Sequence, residues 1–244
     1  YPRVETVQVR YKFPRYTRLK PQFIPESDGH ISVLHMTEAE VRIVADKPIR
    51  SAVFHVYGRR VQAEAHGRRA LTRFQVKKDA SYQLDLVGAD GFKLQEDFQR
   101  SIESLADQPP EVTVKGPKET LLTPKRTEGF GVELEAQDDY GIETVRLKYE
   151  FSTLEDVTIN TDRTDGTRQK ERLLSTPRRK VTMNLPTGFG NLDLKIGEVV
   201  TYWIEVEDAN RITGPKRAAS KKRRLVVVAE EPQRWREIED QDRW

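Results

Sequence analysis

A chain of 244 residues, 36% of them hydrophobic and none a cysteine, has length for two domains that each bury a core. The missing cysteines exclude a disulfide scaffold, thiol catalysis and cysteine-ligated zinc. Forty-two basic residues against 39 acidic ones leave a net charge of +3, a dense mixture of signs and not a field of one sign, and the longest apolar run, Leu225 to Ala229, is far short of the ~20 residues of a membrane helix.

In chain order, Val7, Val9, Tyr11 and Phe13 alternate with Thr6, Gln8, Arg10 and Lys12, the period of a half-buried strand, which Pro14 closes. Strands are predicted next at Ile31 to Leu34, Ala39 to Ala45, Ser51 to Tyr57, Arg60 to Ala65, Ala70 to Val76 and Ser81 to Val87. The turn signals between them are Asp28-Gly29, Asp46-Lys47-Pro48, Gly58 and His66-Gly67. Short strands at this spacing predict a sandwich. Pro109-Pro110 cannot donate to a ladder and holds the chain extended, which marks a stiff joint between units.

Beyond the joint, Glu111 to Lys115 reads as a strand. Val132, Leu134 and Ala136, then Val145, Leu147, Tyr149 and Phe151, give two alternating runs that an Asp138-Asp139-Tyr140-Gly141 turn is expected to join as a hairpin. Asn160 to Lys170 lacks apolar periodicity and reads as a long exposed loop. Strands resume at Lys180 to Leu185, Val199 to Glu207 and Arg224 to Ala229. From Pro232, Trp235, Ile238 and Trp244 fall at helical spacing among charged residues.

One pattern occurs twice: Tyr82-x-Leu84-x-Leu86 before Ala89-Asp90-Gly91, and Tyr202-x-Ile204-x-Val206 before Asp208-Ala209-Asn210. The expected fold is therefore all-β, two tandem immunoglobulin-like β-sandwich domains over residues 1–107 and 108–231, with a short C-terminal helical start over 232–244. The chain opens at Tyr1 without an initiator Met and stops at Trp244 within that start. Both ends are expected to be cut from a longer protein, with targeting and anchoring segments elsewhere.

Several residue groups bear on chemistry. His30, His35, His55 and His66 are scattered over strands and turns, without a converging set of zinc ligands. Asp138, Asp139, Asp208 and Asn210, with Glu205 and Glu207, would supply hard oxygens for calcium if their turns met at one end of the second sandwich. Asp and Asn also favour such turns because they bond their own backbone. Lys216, Arg217, Lys221, Lys222, Arg223 and Arg224 would neutralise phosphates of a polyanion, or serve as a solvated guard on an edge strand. Trp203 is expected to face outward, opposite Tyr202 and Ile204, as a platform for a sugar ring. No nucleophile elbow or phosphate-binding loop is present, so no enzyme activity, no cofactor and no tight metal site is expected.

Pro14-x-Tyr16-Thr17, Gly29-x-Ile31, Val41-x-Ile43-x-Ala45-Asp46-Lys47-Pro48-Ile49 with Ala52, Asp107-x-Pro109-Pro110-x-Val112, and Asp138-Asp139-Tyr140-Gly141-Ile142 with Val145-x-Leu147-x-Tyr149 occur in this order. In that order they resemble the large membrane-anchored bacterial envelope proteins of unassigned biochemical role that carry tandem immunoglobulin-like domains followed by a coiled-coil region. The resemblance covers nearly the whole chain, departs at Glu38-Ala39-Glu40-Val41, where the family has a Gly-Thr-type turn, and brings no catalytic residues. It implies an extracytoplasmic, non-enzymatic spacer or adhesion module in the bacterial cell envelope. Its partners would be other envelope proteins or further copies of itself, with no specific nucleic acid, and any membrane contact would come through segments outside this chain. A carbohydrate-binding sandwich using Trp203 and a polyanion-binding module using residues 216–224 are the alternatives.

Overall fold

The computed structural model describes residues 1–95, 98–153 and 167–230. The expected helical start over 232–244, and residues 160–166 of the expected loop, lie outside them. The chain is all-β and forms two compact units that divide between Asp107 and Gln108.

In the first unit the strands are β1 (Val4–Lys12), β2 (Gln22–Ser27), β3 (Ile31–Leu34), β4 (Glu38–Ala45), β5 (Ile49–Val56), β6 (Arg59–Gln62), β7 (Glu64–His66), β8 (Arg69–Gln75), β9 (Ala80–Gly88), β10 (Lys93–Gln95) and β11 (Arg100–Leu105). One sheet runs β2-β1-β4-β8-β7, the other β3-β11-β9-β5-β6 with β10 beside β9. The period-2 pattern sets the packing: Val9, Val41 and Ala70 from the first sheet meet Phe54, Leu84, Leu86 and Ile102 from the second in one buried cluster. The strand expected from Arg60 to Ala65 divides at Ala63, where the chain crosses from the second sheet (β6) to the first (β7). Glu38 to Val41, where the family pattern has a turn, lies inside β4.

The second unit contains β12 (Glu111–Val114), β13 (Glu119–Leu122), β14 (Gly131–Thr153), β15 (Arg168–Pro186), β16 (Glu198–Asp208), β17 (Arg217–Ala219) and β18 (Arg223–Val227). The two long strands bend. The first half of β14 pairs with β12 and with Lys180 to Pro186 of β15, and its second half pairs with β16 and with Arg168 to Leu173. Each long strand thus passes from one layer of the sandwich into the other, which is why hydrogen bonding links all seven strands: β12-β14-β16-β18-β13 in one path, with β15 beside β14 and β17 beside β16. Leu134, Ala136, Val181 and Leu185 from one layer pack on Leu147, Ile204, Leu225 and Val227 from the other.

Two expectations are overturned here. Asp138 to Gly141 does not close a hairpin: it is an irregularity within β14, where register slips between Gln137 and Ile142, and the extra residues turn the strand from one layer into the other. Arg168 to Lys170 belong to β15, opposite Tyr149 to Leu147, and not to a loop.

The twice-occurring tyrosine pattern marks equivalent strands. β9 and β16 each lie beside the last strand of their unit, with Tyr82, Leu84 and Leu86, and Tyr202, Ile204 and Val206, all buried. In both units a short early strand pairs in parallel with that last strand, β3 with β11 and β13 with β18.

Candidate functional site

The oxygens considered for calcium are engaged by the backbone. Asp138 Oδ2 accepts the amides of Tyr140, at 2.9 Å, and of Gly141, which holds the bend in β14. Asp208 Oδ1 accepts the amides of Asn210 and Lys216, both at 3.0 Å, and Asn210 Oδ1 accepts those of Ile212 and Thr213. The two turns do meet, since Asp208 lies opposite Ile142 and the Ala209 amide donates to the Gly141 carbonyl at 3.1 Å. Asp138 and Asp139 line a shallow cavity of about 380 Å³ together with Glu111, Arg179 and Lys180. Among the described residues no three His, Asp or Glu side chains converge as a metal-holding group. These residues build corners, as Asx turns do.

Across the outer face of the second unit runs an ionic ladder. Arg146 on β14 donates to Glu171 on β15 at 2.5 Å and to Glu207 on β16 at 2.7 Å, and reaches Glu205 at 3.4 Å. Lys148 pairs with Glu205 at 2.9 Å, and Arg217 on β17 with Glu207 at 2.7 Å. The Arg146, Glu205 and Glu207 side chains are only 13, 15 and 11% exposed. Burial works against the charge on Glu207, but the hydrogen bonds from Arg146 and Arg217 outweigh it and hold the carboxyl below its ordinary range.

The basic run is largely neutralised inside the unit. Arg217 pairs with Glu207, Lys222 with Glu150 at 3.1 Å and Arg224 with Glu119 at 3.1 Å, while Arg223 donates to the carbonyls of Gly116 and Val114, the latter at 2.6 Å. The Lys216 amide is bound by Asp208, and Lys221 is exposed. The edge-guard reading of this run is corrected: β18 is flanked by β16 and β13 and is no edge strand. Trp203 faces outward as expected, with Tyr202 and Ile204 buried, and the Lys222 ammonium sits 4.3 Å from the centroid of its ring. A sugar stacking on that side of the indole would have to displace the lysine.

The histidines lie apart in function. The Ser101 amide donates to His30 Nδ1 at 3.0 Å, His35 Nδ1 lies 3.2 Å from Ser104 Oγ, and His55 Nε2 lies 2.8 Å from Asp85. His66 ends β7.

What the sequence leaves unmarked is the part of β15 before Lys180, since only Lys180 to Leu185 of it reads as a strand. Among the described residues β15 pairs with β14 alone, and of its 19 residues only Val181 and Leu185 are buried. The alternation of Arg168, Lys170 and Arg172 with Gln169, Glu171 and Leu173 was the available signal, but no apolar residue marks its period until Leu173.

No protein-family model matches the chain, and no curated protein matches it. Solved structures similar to it are immunoglobulin-like and fibronectin-like β-sandwich modules. They include the fibronectin(III)-like modules of CbhA from Clostridium thermocellum, at 10% identity over 84% of this chain and 95% of that one, with a TM-score of 0.29. A 1.5-MDa bacterial ice-binding adhesin aligns at 6% identity over 78% of this chain and 58% of the adhesin chain, with a TM-score of 0.38. The I9–I11 tandem of titin aligns at 13% identity, 82% and 63% coverage, and a TM-score of 0.28.

Proposed function

We propose that this chain is a load-bearing spacer, two immunoglobulin-like modules in the extracytoplasmic part of a bacterial envelope protein, non-catalytic and binding other proteins through its strand edges. The parallel pairing of an early strand with the last strand in each unit carries the reading. Drawing the ends of a unit apart pulls the start of β13 one way and the end of β18 the other. The ladder is then sheared, so its hydrogen bonds share the load and do not open one after another. Arg223 reinforces the patch by tying β18 to the carbonyls of Val114 and Gly116, and Arg224 ties it to Glu119. The resemblance of the ordered motifs supports the envelope compartment. The carboxylates and histidines available for chemistry serve instead in turns, ladders and strand pairing.

The test removes one rung. The Val228 amide donates to the Leu122 carbonyl at 3.0 Å, at the end of the patch. Val228→Pro deletes that donor. The variant is expected to unfold at lower force when pulled by its ends. An unchanged force in a folded variant would remove the support for a shear patch.

A further inference from the structure

We propose that β15 is a docking edge for an extended acidic polypeptide segment, which adds to it as a further strand. This gives the interaction part of the preceding reading a surface and rests on it for the class of partner, a protein, while the load-bearing part stands or falls separately. Three observations carry it. The first is the open edge: among the described residues no strand lies on the side of β15 away from β14, so its outward amides and carbonyls have no ladder partner there.

The second is charge. Arg168, Lys170 and Arg172 stand opposite Tyr149, Leu147 and Val145, so their side chains leave one face of the strand at a spacing of two. None of the three forms an ion pair among the described residues: Arg168 lies 5.2 Å from the centroid of Phe151, and Lys170 donates to the Pro186 carbonyl at 3.3 Å. Their state differs from that of Arg217, Lys222 and Arg224, each held by a carboxylate of its own unit. The third is Leu173, 66% exposed at the end of the same paired segment and on the opposite face of the strand from the three cations, which offers the added strand an apolar contact on its other side.

These features select the occupant. A second copy of β15 laid alongside would set cations against cations, which destabilises a strand pair. Nucleic acid and anionic lipid would answer the charge but leave the backbone groups unpaired. A polypeptide with carboxylates at alternate positions answers both, with its ladder bonds supplying affinity and its carboxylates register.

The experiment uses the whole chain and a fluorescent peptide that alternates glutamate with valine and threonine. Binding should be abolished or weakened at least ~10-fold by N-methylation of alternate peptide amides and by the triple reversal Arg168→Glu, Lys170→Glu, Arg172→Glu. The same reversal should confer binding of the lysine-for-glutamate peptide, a gain that a misfolded variant would not show. Hydrogen exchange should slow at the outward amides between Arg168 and Leu173. Replacing Lys221 and Lys222 by Ser should leave binding unchanged. Equal binding of the N-methylated peptide, or equally tight binding of duplex DNA or phosphatidylserine vesicles at physiological salt, would overturn strand addition, and so would binding that survives the reversal.

Discussion

Single residues at the bend of the second unit carry strain that only one side chain permits. Gly141 has φ +131°, and a Cβ there would stand 3.1 Å from Pro177 Cβ and 3.2 Å from the Arg178 amide, because β15 crosses close by. Gly141→Ala is expected to cost about 1–3 kcal/mol, read as a shift in the urea midpoint. Arg146 is the reverse case, a cation shared by largely buried carboxylates that each keep one other partner, Lys148 for Glu205 and Arg217 for Glu207. Arg146→Met leaves Glu205 and Glu207 half-desolvated and should cost about 2–3 kcal/mol at neutral pH. The sign with pH follows from Glu207, whose folded carboxyl is held below its ordinary value of 4.5. Its contribution is present above that value and is lost as pH falls below it through the folded one. Stability of the wild type should therefore drop more steeply in acid than that of Arg146→Met, and the two curves should converge. Equal slopes would contradict the assignment.

Among the elements, those that alternate cleanly were legible in the sequence, and those shaped by tertiary demand were not. Val7 to Lys12 and the two tyrosine patterns lie on strands because one face of each is core and the other is solvent, which writes a period of two. The same period reads identically in a hairpin and in a single bent strand, so the sequence alone does not separate β14 from a pair of strands. Asp138 and Gly141 are turn formers in either case, and the difference lies in β15, which runs beside both halves. The first part of β15, from Arg168, is not marked as a strand by its sequence because its inward-facing positions at the edge are arginine and lysine, a device that keeps a sheet edge from pairing with its own kind; Lys180 to Leu185, with Val181 and Leu185 buried, is marked. The apolar Leu225 to Val228 after the basic run suggests a guarded edge, but that segment is apolar because β18 lies between two neighbours. Arg223 should accordingly matter for stability more than for polyanion binding. Arg223→Ala, which frees the carbonyls of Val114 and Gly116, is expected to cost about 1–2 kcal/mol, whereas Lys221→Ser should be neutral within ~0.5 kcal/mol, both measured by urea denaturation.

At the scale of the whole molecule, each unit has its own buried cluster and its own parallel patch, and Pro109-Pro110 follows directly on the division at Asp107. Residues 1–107 and 108–230, expressed separately, should each unfold in one cooperative transition; a half that stays unfolded alone would show that the units depend on each other. The claim that the chain bears load is tested most directly by pulling single molecules of the second unit along two axes. One axis runs through its ends, before β12 and after β18, and the other through cysteines introduced in exposed positions so that β13 is peeled from β18 one bond at a time. The account predicts that force along the ends is severalfold higher, because only there is the β13–β18 ladder sheared. Equal, low forces along both axes would contradict it.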